Sequence, residues 1–462
     1  MGELIEQRNS IGKSKSDIVI IGNGVAGVTC ARNIRKLDSN ASITIISAET
    51  DYFFSRTALM YVYMGHMKFE HTRPYEDWFW KKNRIDLLNK YVCNIDTNES
   101  KLHFSDHSQM SYDRLVIASG SKSNKFGWPG QDLVGVQGLY NYQDLQLMED
   151  NTKGIKKAVI VGGGLIGIEM AEMLASRNIA VTFLVREKNF WSNILPEEES
   201  KLINKHILEH GIDLRLESEL KEIKSDGNAD SPAAKVKSIV TGSGEEIECQ
   251  FVGLTVGVSP NISFLKDSGI ETDRGVLINE FFEANIKNVY AIGDCAQFKT
   301  ALVGRKPIEQ VWYTGKMHGE TLAKIICGER IAYNPGNWFN SAKFFDIEYQ
   351  TYGMVNNQIG ASESTLFWQH ANGKICFRAL WDTIEKNILG INVFGIRMRH
   401  LVFDKWITEK RSIEYVMENL KEANFDPEFY STYEGFIIEI FNQETGNNIQ
   451  LKKISLLKKL FA

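Results

Sequence analysis

The chain has 462 residues, 43% of them hydrophobic, and a formal net charge of −5. At roughly 100–200 residues per domain this length makes two or three domains with enough apolar content to bury real cores, which excludes a disordered chain. So small a charge marks no nucleic-acid footprint, and partners have to be read from sites.

The six cysteines, Cys30, Cys93, Cys249, Cys295, Cys327 and Cys376, are scattered without CxxC, CxxxxC or His-Cys clustering. This argues against a disulfide framework, a zinc site or a relay dithiol, and suits a reducing compartment. No metal-ligating set is expected. Met1 to Ser16 is polar and mixed in charge, which predicts a frayed leader over a signal peptide. No apolar run is long enough to span a bilayer, so the expected location is cytoplasmic.

The first ordered element is Asp17-Ile18-Val19-Ile20-Ile21-Gly22-Asn23-Gly24-Val25-Ala26-Gly27, a buried strand, a glycine turn and then a helix through Leu37. Such a turn lets backbone approach a pyrophosphate and aims a helix N-terminus at its charge. The strand Ile43–Ile46 follows, with Glu49 just past its end, where a carboxylate accepts hydrogen bonds from an adenosine ribose. Tyr52 to Met64 is aromatic-rich, and Leu102 to Asp113 reads as a β-meander. Another buried strand ends in Ala118-Ser119-Gly120, small residues that backbone and ligand can approach closely. Trp128-Pro129-Gly130 then breaks the chain at a domain boundary.

A second strand, glycine turn and helix follows in Val159-Ile160-Val161-Gly162-Gly163-Gly164-Leu165-Ile166-Gly167-Ile168-Glu169, with helical spacing to Ser176. The strand Ala180–Val185, the helix Glu197–His210 and the strand Asp213–Leu216 continue an alternation that implies a parallel sheet. Ser225 to Pro232 is an exposed loop by composition. Phe251–Gly257 returns to the core. Asp294, after Gly293 at the end of a further strand, is placed to hold a cofactor hydroxyl. A helix Trp312–Cys327 follows. Beyond Pro335 the aromatic segments Lys343–Tyr352, Leu366–Gln369 and Ile375–Leu380 predict strands of a third, α+β domain.

The order of first GxGxxG, Tyr112–Gly120, second GxGxxGxE and Val289–Asp294 resembles the FAD-dependent pyridine nucleotide oxidoreductases, the glutathione reductase-like flavoproteins. The resemblance implies an α/β fold with two Rossmann-like dinucleotide-binding domains and a C-terminal α+β domain that commonly forms a dimer interface. The expected limits are 17–127 and 250–335 for a split FAD domain, 128–249 for the NAD(P)H domain and 336–462 for the interface domain. The segment Asp51 to Val92 has no cysteine, whereas disulfide reductases place their redox thiols there. Tyr52 to Leu59, with Ser55-Arg56-Thr57-Ala58-Leu59, instead looks like the Y-x-R-P-x-L signature of the rubredoxin reductase, ferredoxin reductase and apoptosis-inducing-factor branch, with Thr57 in place of proline.

In that branch the residue matching Arg56 lies near the FAD pyrophosphate, and Glu169 matches an acid beneath the flavin that pairs with a lysine. The lysine position is Tyr61 here, so Glu169 would take a hydroxyl hydrogen bond or pair with Arg56. Trp312 matches an aromatic position flanking flavin and nicotinamide. Glu169, Tyr61 and Trp312 are therefore the expected catalytic set. The turn residues Val25, Ala26, Leu165 and Ile166, together with Val92 and Gly257, complete the expected cofactor contacts.

Hydride transfer needs no protein acid or base, only the nicotinamide held against the flavin with water excluded. Nucleotide preference is set after Val185, where a carboxylate favours NADH and cations favour the 2′-phosphate of NADPH. Arg186 and Lys188 predict NADPH, and Glu187 keeps NADH open. The leading expectation is an FAD-dependent NAD(P)H reductase serving a small electron-transfer protein or a small-molecule acceptor. Two other readings stand beside it. One is a membrane-surface quinone reductase, suggested by Ile454, Leu457 and Phe461 on one helical face of a lysine-flanked tail. The other is a redox-gated binding protein whose interface uses Trp338, Trp368, Trp381 and Trp406.

Overall fold

The computed structural model describes residues 17–227, 231 and 233–452. The leader through Ser16 lies outside the described residues, as do part of the loop Ser225 to Pro232 and the tail from Lys453. The chain forms two compact units. Among the described residues, one takes in the segments up to Leu59, Met67–Lys122 and Ser259–Asn334, and the other Met60–His66, Ser123–Val258 and the segment from Pro335.

In the first unit five strands form one sheet in the order Val289–Ala291, Arg114–Ile117, Asp17–Ile21, Ser42–Ser47, Ile85–Asn89. All neighbours run parallel. A parallel sheet is covered on both faces, so its strands read as continuous apolar runs instead of alternating ones. Ile18, Val19, Ile20, Leu115, Val116 and Ile117 are accordingly all buried. The helices Val25–Leu37 and Trp312–Ile326 belong to this unit, as does the meander Val92–Asp96, Lys101–Phe104, Gln109–Ser111.

The second unit repeats the plan with the parallel order Asp213–Arg215, Ala180–Leu184, Lys157–Val161, Phe251–Leu254, Val136–Gln137. It adds an antiparallel sheet ordered Phe339–Phe344, Ile347–Gly353, Ile388–Phe394, Cys376–Asp382, Glu363–Gln369, with the helices His400–Thr408, Ile413–Glu418 and Glu434–Thr445. The α/β class with two Rossmann-like folds and a C-terminal α+β region is thus as expected.

One expected strand, Lys343–Tyr352, is instead a hairpin. Phe345 turns it with a left-handed φ of 55°, a conformation that carries no sequence signal when the residue is not glycine or asparagine. Three of the tryptophans that the interface alternative would use are core residues, as aromatics in such a region usually are. Trp368, Trp381 and Trp406 are buried in the hydrophobic core of the C-terminal region. Among the described residues no helix is long and apolar enough to cross a membrane.

Candidate functional site

Each parallel sheet ends in a glycine turn in which the three glycines of the GxGxxG pattern have separate jobs. In the first, Gly22 sits at φ +115°, and a Cβ there would lie 2.1 Å from the Ala118 carbonyl. Gly27 faces back onto the turn, where a Cβ would meet the Gly22 carbonyl at 2.1 Å. Gly24 is the opposite case, because nothing lies within 4 Å of its Cβ position. It is the extended N-cap of Val25–Leu37, with no side-chain cap and no acid in the first helical turn. A helix start that is uncapped by side chains, free of acids and open beside Gly24 leaves its first N–H groups and positive dipole end to an anionic phosphate.

The second turn repeats this with different braces. Gly162 stands at φ +112° with the Thr255 carbonyl 2.6 Å from a Cβ, and Gly167 would strike the Gly162 carbonyl at 2.4 Å. Gly164 caps Leu165–Ser176, again with open space before it, no side-chain cap and no acid in the first turn. The Thr255 hydroxyl lies 2.9 and 3.1 Å from the carbonyls of Val161 and Gly162 and ties the turn to the neighbouring strand. Nothing in the sequence marked Thr255 beyond its place at a strand end.

Around the first turn the expected residues come together. Gly22 N–H donates to Ile46 O at 2.7 Å, and Asn23 Nδ2 to Thr50 O at 2.8 Å, fixing the turn against the segment that carries Glu49. Glu49 and Arg56 form a two-pronged ion pair, Nη1 to Oε1 at 2.8 Å and Nη2 to Oε2 at 2.6 Å. This is where Arg56 goes, in place of the pairing with Glu169 that the sequence left open. Ser119 Oγ donates to Asn261 O at 2.7 Å. Ser121 Oγ stands 3.1 Å from Asp294 Oδ2. Val92 is a core residue, so only its backbone is available to a ligand.

His318 was missed by sequence reasoning, since a lone histidine in a helix gives no signal. Its Nδ1 accepts from Gly293 N–H at 3.1 Å and so orients the turn carrying Asp294. Burial, with the Arg305 charge adding, pushes its pKa down to about 3, so the ring is a neutral acceptor. Trp312 begins the helix Trp312–Ile326 and is 40% exposed, which is an indole left uncovered and not one packed in the core. Its ring meets that of Tyr313 edge-on, with centroids 5.3 Å apart.

In the second unit Glu169 makes no hydrogen bond or ion pair among the described residues. Burial, with Glu172 one helical turn away, pushes its carboxyl up to about 7. Tyr61 stands against His66, their ring centroids 6.1 Å apart. The basic group here comes from far along the chain: Lys343 Nζ is 3.8 Å from Glu172 Oε1 and 5.8 Å from the centre of the Tyr61 ring. Gly257, at φ +88°, accepts from Asn124 N–H through its carbonyl at 3.1 Å. Arg186 and Lys188 are both exposed. Arg186 reaches only Glu187, at 3.2 Å.

Two parallel sheets, each with a glycine turn and an uncapped helix N-terminus open to a pyrophosphate, define a protein built to hold two dinucleotides. The chain belongs to the pyridine nucleotide-disulphide oxidoreductase family, whose model matches residues 16–319 and whose members bind FAD and use NAD(P)H. It is 25% identical over 385 residues to the assimilatory nitrate reductase electron transfer subunit of Bacillus subtilis (strain 168), covering 82% of this chain and 48% of that one. To the nitrite reductase [NAD(P)H] of the same organism it is 29% identical over 318 residues, 68% of this chain and 38% of the relative. The chain therefore spans about half or less of the length of these two relatives. Among solved structures it superposes on an NAD-dependent persulfide reductase from A. fulgidus with a TM-score of 0.80 at 23% identity, over 95% of this chain and 86% of the other, a likeness of fold.

Proposed function

We propose that this chain is an FAD-dependent NAD(P)H oxidoreductase that moves reducing equivalents from NADPH to a separate acceptor, either a small electron-transfer protein or a small molecule. What carries the reading is the pair of open glycine cradles, one on each parallel sheet, joined to a segment Asp51 to Val92 that holds no cysteine. When bound, FAD accepts hydride from the reduced nicotinamide and releases electrons to the acceptor.

The protein's part is to bind and orient. In the FAD half (17–127 and 250–335), Gly22, Gly24, Val25, Ala26 and Gly27 hold the pyrophosphate. Glu49, braced by Arg56, accepts from the adenosine ribose, and Ala118 to Gly120, Gly293 and Asp294 line the remainder. In the NAD(P)H half (128–249), Gly162, Gly164, Leu165, Ile166 and Gly167 hold the second pyrophosphate, and Arg186 with Lys188 receives the 2′-phosphate. Glu169, Tyr61, Trp312 and the backbone of Val92 and Gly257 belong to the flavin's surroundings in this reading. The six free cysteines support a cytoplasmic setting, and a homodimer through 336–462 is part of the proposal. The relative named as an electron transfer subunit supports an electron-carrying role.

Anaerobic reduction of the bound flavin by NADPH and by NADH, followed by a panel of acceptors, tests the reading. Arg186→Ala is expected to lower the NADPH/NADH ratio of kcat/KM roughly tenfold or more, the loss of a hydrogen bond between charged groups. An unchanged ratio would remove the NADPH assignment. Flavin that neither nucleotide reduces would remove the function.

A further inference from the structure

One cluster in the second unit uses none of the residues assigned to either cofactor. His206 lies in the last turn of the helix Glu197–Glu209 and His210 caps it, four residues apart and so on one face. Asp346 stands opposite, at the tip of the hairpin formed by Phe339–Phe344 and Ile347–Gly353. One side-chain ligand atom from each of the three lies within 4.8 Å of the others.

Hydrogen bonding leaves this cluster unbalanced. His210 Nδ1 is 2.9 Å from the backbone carbonyl of His206. A carbonyl only accepts, so Nδ1 carries a proton, which in a neutral imidazole leaves Nε2 as a lone pair. That lone pair faces Asp346 Oδ1, another acceptor, at 3.5 Å. His206 is 1% exposed, and its Nε2 is 2.6 Å from the same oxygen. Yet neither of its ring nitrogens makes a hydrogen bond of acceptable geometry. Two imidazoles and a carboxylate thus converge on one point from two elements. The outer groups hold them there: Lys374 Nζ takes Asp346 Oδ2 at 3.1 Å, and Phe345 stacks on His210 with centroids 4.1 Å apart. Partners of this kind orient ligands around a bound metal.

We propose that His206, His210 and Asp346 form a binding site for a divalent transition-metal ion of the zinc class. Two imidazoles and one carboxylate match that class, whereas Ca²⁺ and Mg²⁺ require more oxygen ligands. With metal–ligand distances of about 2.0–2.2 Å, tetrahedral ligand atoms stand ~3.3 Å apart. The His210–Asp346 pair at 3.5 Å already has this spacing, and the His206–Asp346 pair at 2.6 Å has to open by about 0.7 Å or more to admit the ion. The ion staples the helix Glu197–Glu209 to the C-terminal hairpin and keeps its fourth position for water. Cysteine spacing could not reveal such a site, because it uses none of the cysteines.

The test is titration of full-length, tag-free, flavin-loaded protein with Co²⁺ and Zn²⁺ after chelator treatment. The expected result is one ion per chain, visible absorption bands of four-coordinate Co²⁺, and a Zn²⁺-dependent rise in thermal midpoint. In His210→Gln and Asp346→Asn the affinity falls roughly tenfold or more and the thermal response disappears, while flavin content is unchanged. His210 is partly exposed, so His210→Gln decides the matter if Asp346→Asn folds poorly. Wild-type protein that takes up no stoichiometric ion overturns the proposal. So does binding equally tight in His210→Gln, which would assign the ion to other side chains such as the exposed Cys93 and Cys327.

Discussion

The two glycine turns share a plan but differ in what braces them. Behind the first, the helix Trp312–Ile326 presses on Val25–Leu37 through Gly319, where a Cβ would lie 2.5 Å from the Ala26 carbonyl, and the separate turn at Gly293 approaches as closely, a Cβ there lying 2.9 Å from Ala26 Cβ. Past the next strand, Glu49 is locked by Arg56 in a two-pronged ion pair. The second turn is held more by side chains. Gly163 faces Val185 Cγ1 at 2.8 Å, and Gly167 faces Thr255 Oγ1 at 2.8 Å and Phe183 at 3.0 Å. Its strand ends in the solvent-facing Arg186. Backbone braces and a pre-paired acid suit a group that stays bound, while yielding side chains and exposed cations suit one that enters and leaves. The same motif is tuned by what stands behind it.

The largest effect that would break this comparison comes from Gly22→Ala set against Gly162→Ala. Both force a side chain into a left-handed backbone. At Gly22 the obstacle is a carbonyl at 2.1 Å in the middle of the five-stranded sheet, and at Gly162 it is one at 2.6 Å in the other unit. Gly22→Ala protein is expected to be isolated with less than about a tenth of the normal flavin, because that strain cannot relax locally. Gly162→Ala should keep its flavin and lose reduction by NADPH. Equal flavin content in the two variants, measured by absorbance, would refute the separation of roles.

A smaller but cleaner effect is expected where the space is open. Gly24→Ala and Gly164→Ala meet no atom within 4 Å, so each should cost only about 0.5–1 kcal/mol of stability, the N-cap difference between glycine and alanine. Each should nonetheless weaken its own dinucleotide roughly tenfold, because the methyl stands where the phosphate approaches. Thermal midpoints with flavin and NADPH titrations separate the two quantities. A variant that binds both dinucleotides normally would mean that the cradle lies elsewhere.

The sequence made the parts of each turn legible because they are local. An apolar run, spaced glycines and a helical period all lie within one stretch such as Asp17 to Leu37 or Lys157 to Ser176. What it could not show are contacts between distant segments. Lys343 reaches Glu172 across 171 positions of chain (343 − 172) and lies beside the ring of Tyr61, the position at which the resembled branch carries a lysine. His318 sets the Gly293 turn from another helix. His206 and His210 meet Asp346 only because Phe345 adopts a conformation its type does not advertise. The strand Ile388–Phe394 went unread as well, although it lies in the middle of the C-terminal sheet.

The mildest expected effect concerns Glu169, which has no acidic counterpart in the first turn, where the matching position is the buried Thr29. Its carboxyl ionises in the fold only near pH 7, whereas in the unfolded chain it does so at the ordinary glutamate value of about 4.3. Between those values the folded state holds the extra proton, so wild-type stability falls as pH rises from about 4.3 through 7 and then levels off. Glu169→Gln removes that loss. Its thermal midpoint relative to wild type should be unchanged at pH 4 and higher, by on the order of 3 °C, at pH 8. If Glu169 also borders the flavin, the pH profile of flavin reduction by NADPH should lose an inflection near 7 in the same variant. A stability difference that does not vary with pH would mean that the carboxyl titrates normally and that its isolation has no bearing on the chemistry.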